Sequence, residues 1–110
     1  MSAYRAVIVE DEPLARHRLG HLLAAHPELT VIGEAVSGPE AIQLINDQRP
    51  DVVFLDVELP GASGLEVARA LTTQPVIVFT TAFDRYAVTA FELAAVDYLL
   101  KPFGDRKSGV

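Results

Sequence analysis

Short apolar runs alternate along the chain with segments whose apolar residues recur at helical spacing. Ala6-Val7-Ile8-Val9 is β-branched and apolar throughout, the mark of a strand buried on both faces. It stops at Glu10-Asp11-Glu12-Pro13, and a proline suits the first turn of a helix. The spacing of Ala15, Leu19, Leu22 and Leu23 predicts that helix over Leu14 to His26, with Pro27 ending it. Leu29 to Ala35 reads as a second strand. Ser37 and Glu40 match a capping box for a helix over Pro39 to Gln48, which Arg49-Pro50 breaks. Val52-Val53-Phe54-Leu55 is a third strand and runs directly into Asp56. After the loop Leu59-Pro60-Gly61-Ala62, Ser63 and Glu66 match a second capping box, for a helix to about Leu71. Val76 to Phe79 is a fourth strand that ends at Thr80-Thr81. Asp84 is a candidate cap for a helix to about Ala94, and Tyr98-Leu99-Leu100 reads as a short last strand before Lys101-Pro102.

Strands that alternate with helices in this way predict an α/β fold, a doubly wound parallel sheet of about five strands with helices on both faces. No internal repeat, low-complexity linker or domain boundary interrupts the pattern. Residues 1–103 read as one domain. Residues 104–110, a short polar tail, stand in place of a full final helix, so that helix is expected to be truncated or missing.

Composition narrows the function classes. The chain has 110 residues, half of them hydrophobic, enough for a core without staples, and it has no cysteine for disulfides or thiolate metal sites. Its formal net charge is −6, and its nine Lys and Arg residues are scattered. Direct nucleic-acid binding, which calls for a basic patch, is not expected. No signal peptide is visible at the start, and no apolar run approaches the roughly 20 residues of a membrane helix. The expected location is cytoplasmic.

The polar residues at strand ends carry the candidate chemistry. In an open parallel sheet, ligands bind beyond the carboxyl ends of the strands. Glu10-Asp11, Asp56, Thr81 and Lys101 follow the first, third, fourth and fifth predicted strands, so the fold would gather them on one rim. Carboxylates brought together repel unless a cation neutralises them, and oxygen ligands at an exposed edge suit Mg²⁺. An anion beside Asp56 would meet metal, ammonium and hydroxyl together, the parts that phosphoryl transfer needs. Asp56 is the natural nucleophile, forming an acyl phosphate.

VIVEDE, VVFLDVELPGASG, FTTA and DYLLKPF, in this order and spacing, resemble the receiver domain family of bacterial two-component response regulators over nearly all of residues 5–103. FTTAFDRYAVTAFE followed by VDYLLKPF most resembles the receivers of LytTR/AlgR-type regulators. The resemblance implies a flavodoxin-like strand order, 2-1-3-4-5. It also implies that Glu10 and Asp11 are the acidic pair holding Mg²⁺, that Asp56 is both phosphoacceptor and metal ligand, and that the backbone carbonyl of Glu58 completes the protein ligands. Thr81 then matches the hydroxyl drawn to the phosphoryl group, Lys101 the lysine that pairs with its oxygens, and Tyr98 the aromatic switch. The partners implied are a sensor histidine kinase, a second copy of the chain on activation, and DNA only through an output domain absent from this chain. Such a domain is a signalling switch that regulates transcription, and not an enzyme in the ordinary sense.

Plainer readings stand beside these. A lone aspartate after a strand is ordinarily a turn residue or a helix cap; the company of Glu10, Asp11, Thr81 and Lys101 is what tells against that for Asp56. Glu12 reads as a cap of the first helix or a solvent-facing residue, Thr80 as a strand residue, and Tyr98 could simply fill the core. His17 and His21 lie four apart, a spacing also seen in zinc sites, but no third ligand accompanies them, and Arg16 and Arg18 flank them. A solvated helix face is the better account. Two other functions are conceivable. One is a pseudo-receiver that works through unphosphorylated protein contacts. The other is a phosphoaspartyl phosphatase of the haloacid dehalogenase type, but that chemistry wants an aspartate where Glu58 stands.

Overall fold

A computed structural model of the chain describes residues 4–81 together with the strand backbone at 97–100. Its elements are β1 (Tyr4–Val9), α1 (Pro13–Leu23), β2 (Leu29–Ala35), α2 (Gly38–Gln48), β3 (Val52–Asp56), α3 (Gly64–Ala70), β4 (Val76–Thr81) and β5 (Asp97–Leu100). All pairings are parallel, and the five strands lie in the order β2-β1-β3-β4-β5. This is the flavodoxin-like doubly wound sheet that the alternation and the resemblance predict. The expected helix from Asp84 to Ala94, Lys101 and the tail 104–110 lie outside the described residues.

The two-residue period of the strands explains how the sheet is covered on both sides. Val7 and Val9 of β1, Val53 and Leu55 of β3, and Ile77 and Phe79 of β4 pack with Ala41 and Ile45 of α2 and Val67 of α3. Their neighbours point the other way: Ala6, Ile8, Val52 and Phe54 pack with Ala15, Leu19 and Leu23 of α1, and Val78 lies against that cluster. Every residue of β3 is buried. Burial of this kind, at roughly 25 cal/mol per Å² of apolar surface, is the main term holding the layers together.

Local chemistry sets the helix ends. α3 carries the complete capping box, with Ser63 Oγ accepting from Glu66 N–H at 3.2 Å and Glu66 Oε1 accepting from Ser63 N–H at 2.9 Å. The box expected for α2 is only half formed. Ser37 Oγ accepts from Glu40 N–H at 3.3 Å, but the Glu40 carboxylate reaches one residue further back and takes Val36 N–H at 2.8 Å. α2 ends at Arg49, whose φ of 51° is left-handed and turns the chain into Pro50. α1 is shorter than its hydrophobic pattern suggests. Beyond Leu23 the bonds from Ala25 N–H to Leu22 and from His26 N–H to Leu23 span three residues, so the last turn tightens and ends before Pro27.

Candidate functional site

The carboxyl ends of β1 and β3 lie side by side at the centre of the sheet, with Val9 paired to Leu55. Glu10 follows Val9 and Asp56 ends β3, so the two acidic residues leave neighbouring strands at the same level. Both are buried, at 1% and 3% exposure, whereas Asp11 is exposed. Such burial of carboxylates is costly unless they are paired or bind a cation. Glu10, Asp11 and Asp56 each offer an oxygen, and those oxygens lie within 4.8 Å of one another. Hard oxygen donors gathered this closely suit a divalent cation such as Mg²⁺.

Backbone groups hold the carboxylates in place. Glu12 N–H donates to Glu10 Oε2 and Glu58 N–H donates to Asp56 Oδ1, each at 3.2 Å. Glu10 N–H bonds the Ala35 carbonyl at 3.0 Å, and Val57 N–H bonds the Thr80 carbonyl at 3.2 Å. The loop after β3 is closed by Gly64 N–H on the Val57 carbonyl at 2.7 Å, and it is pinned to α2 by Gly38 N–H on the Pro60 carbonyl at 2.9 Å. Gly61 adopts φ 85° there, a left-handed turn that favours glycine.

Of the residues singled out from the sequence, Glu10, Asp11 and Asp56 are brought together. Glu58 sits in the adjoining loop with its side chain exposed. Thr81 ends β4 and Tyr98 lies in β5, where it pairs with Phe79; only their backbones are described. Lys101 lies outside the described residues. Thr80, read as a strand residue, is one, and it is fully buried opposite Asp56 in the strand register. Glu12 occupies the N-cap position of α1 but makes no side-chain cap bond and is exposed. His17 and His21 are exposed, as expected of a solvated face. Arg16 departs from that reading. It is half-buried, and its Nη1 donates to the Glu10 carbonyl at 2.9 Å while its Nε stands 3.3 Å from Glu34 Oε1. A signal was there to find: a basic residue near the start of a helix works against the helix dipole, and so calls for a specific partner.

Comparison with known proteins agrees with this geometry. Residues 6–108 match the response regulator receiver domain. The chain is 47% identical over 104 residues to the sensory transduction protein LytT of Enterococcus faecalis, covering 92% of this chain and 43% of that protein. It is 47% identical over 105 residues to the transcriptional regulatory protein BtsR of Salmonella typhi, covering 94% of this chain and 44% of that one. Among solved structures, the receiver domain of the putative response regulator NarL from Mycobacterium tuberculosis superposes with a TM-score of 0.85 at 30% identity, covering 94% of this chain and 88% of that chain. A parallel sheet in the order β2-β1-β3-β4-β5 with an acidic cluster at its carboxyl edge is the arrangement expected of a receiver-type domain. The chain belongs to the response regulator receiver domain family of two-component systems. It spans less than half the length of the curated relatives it matches. Receiver domains are generally not enzymes. Among the described residues, no helix is long and apolar enough to cross a membrane.

Proposed function

We propose that this chain is a Mg²⁺-dependent phosphoacceptor switch, with residues 1–103 as the phosphoacceptor domain. The observation that carries the reading is the burial of Asp56 at the end of β3, with its oxygen within 4.8 Å of those of Glu10 and Asp11. Glu10, Asp11, Asp56 and the backbone carbonyl of Glu58 would hold the cation. Bound there, Mg²⁺ would supply positive charge to offset that of the carboxylates and the incoming phosphoryl oxygens. An Asp56 carboxylate oxygen attacks the phosphorus of a phosphohistidine on a sensor kinase. A P–O bond forms, the P–N bond breaks, and the electron pair leaves with the histidine. The hydrogen bond from Glu58 N–H to Oδ1 restricts the rotation of the carboxylate for that attack.

Thr81 and Lys101 are assigned to the phosphoryl oxygens, and Tyr98 to the switch that follows Thr81 inward. Thr81 stands at the carboxyl end of the strand beside Asp56, which supports its part in this. The added charge then biases a two-state equilibrium. Its output is dimerisation or control of an output domain, through which DNA and transcription would be reached in the cytoplasm. The names of the LytT and BtsR relatives support that output.

Incubation with acetyl phosphate and Mg²⁺, followed by intact-mass measurement, tests the reading. One phosphoryl group should be gained, and none by Asp56→Asn or in excess EDTA. A failure to gain it from any phosphodonor would leave a module acting through unphosphorylated contacts as the better account.

A further inference from the structure

The acidic loop after β1 is not held by an ordinary helix cap. α1 begins at Pro13 after the N-cap residue Glu12, whose side chain makes no cap bond, and its first turn has no acidic residue to complement the dipole. Beside the backbone bonds already described, a side-chain tie on the loop comes from one turn further on. The Arg16 guanidinium donates from Nη1 to the Glu10 carbonyl at 2.9 Å and sets Nε 3.3 Å from Glu34 Oε1 on β2. One rigid, planar group therefore joins α1, the end of β1 and the neighbouring strand. A lysine ammonium, a point charge on a flexible stem, has no such fork with which to span both partners.

We propose that Arg16 is a positioning residue for the divalent-cation site, fixing the Glu10 backbone so that the Glu10 and Asp11 carboxylates converge with that of Asp56. This rests on the Mg²⁺ reading above. Two effects of the side chain have opposite signs. Its positive charge, close to the acidic cluster, opposes a second cation; its hydrogen bond to the Glu10 carbonyl pre-forms the ligand set. The contact with Glu34, whose side chain is about half exposed at 49%, offsets part of that charge. Groups that orient metal ligands commonly alter affinity by about tenfold or more when removed.

Mg²⁺ titration calorimetry on the unsubstituted chain, Arg16→Ala and Arg16→Lys, with thermal unfolding of each in EDTA, tests this. Positioning predicts that both variants bind Mg²⁺ about tenfold more weakly, because neither keeps the fork. A role through charge alone predicts tighter binding by Arg16→Ala and unchanged binding by Arg16→Lys, and either result overturns the proposal. So does a fall in unfolding temperature with Mg²⁺ affinity unaltered, which would make Arg16 merely structural. Should Arg16→Ala not fold, Arg16→Lys decides the matter. No Mg²⁺ binding by the unsubstituted chain would remove the Mg²⁺ reading, and the inference with it.

Discussion

Gly64 passes so close to Asp56 that a Cβ on its backbone would collide with the Asp56 carbonyl oxygen and stand 2.9 Å from Val57 Cα. Both obstacles are backbone atoms, which cannot swing aside as the end of a long side chain can. Gly64→Ala should therefore push α3 away from the end of β3, at a cost of about 1–3 kcal/mol, typical of overpacking. Because the displaced atoms belong to Asp56 itself, Mg²⁺ affinity and phosphoryl acceptance should fall as well. Urea unfolding with a parallel acetyl phosphate assay checks this. An unchanged midpoint would show that the loop absorbs a methyl group without moving β3.

α3 has only seven residues, too short to be stable without its cap and its contact with the sheet. Ser63→Ala removes the acceptor for Glu66 N–H and should cost about 1 kcal/mol of stability. Val67, fully buried, keeps the helix docked, so the loss should appear as a lower unfolding midpoint and not as an absent helix. Denaturant titration of this variant checks the size of the effect.

Much of this architecture was legible in the sequence, and the limits are instructive. Ala6–Val9 and Val52–Leu55 are apolar at every position because both faces of a central strand are covered, so the sequence alone marks β1 and β3. The rim formed by Glu10, Asp11 and Asp56 followed from a general rule about the carboxyl ends of parallel strands. Arg16 did not, because its partners are a backbone carbonyl and a carboxylate on another strand, and neither leaves a spacing pattern. The Glu40 side chain bonds one residue before the position a capping box specifies, for a similar reason. Ser-x-x-Glu specifies the Ser37 half of the box, but which backbone N–H the glutamate takes depends on the path of the chain before the helix.

Carboxylates of like charge in one small site repel one another, and on the Mg²⁺ reading proposed above a bound cation would relieve that repulsion. Asp11 is the exposed member, so its neutralisation should disturb packing least. In EDTA, Asp11→Asn should unfold at the same temperature as the parent or a higher one, because one repulsive charge is gone. With Mg²⁺ the order should reverse. A ligand at a hundred times its Kd adds about 2.7 kcal/mol to a native state that alone binds it, and the variant should lose most of that gain. Thermal unfolding of both proteins over a series of Mg²⁺ concentrations provides the comparison. An equal upward shift in the two would take Asp11 out of the ligand set.

The two adjacent threonines at the end of β4 should separate cleanly. Thr80 pairs with Asp56 in the strand register and is fully buried, and its Oγ1 has no hydrogen-bond partner among the described residues. An unpaired buried hydroxyl carries a desolvation cost with no compensating bond. Valine has nearly the same shape without that hydroxyl, so Thr80→Val should leave stability unchanged or raise it by about 1 kcal/mol. Phosphoryl acceptance at Asp56 should persist. Thr81→Ala should behave differently: Asp56 is still phosphorylated, but the phosphorylated chain no longer changes its oligomeric state, because the hydroxyl assigned to the phosphoryl oxygens is gone. Intact mass combined with light scattering, before and after acetyl phosphate, reads both properties in one sample. Loss of the response in Thr80→Val with its retention in Thr81→Ala would move the switch hydroxyl to Thr80.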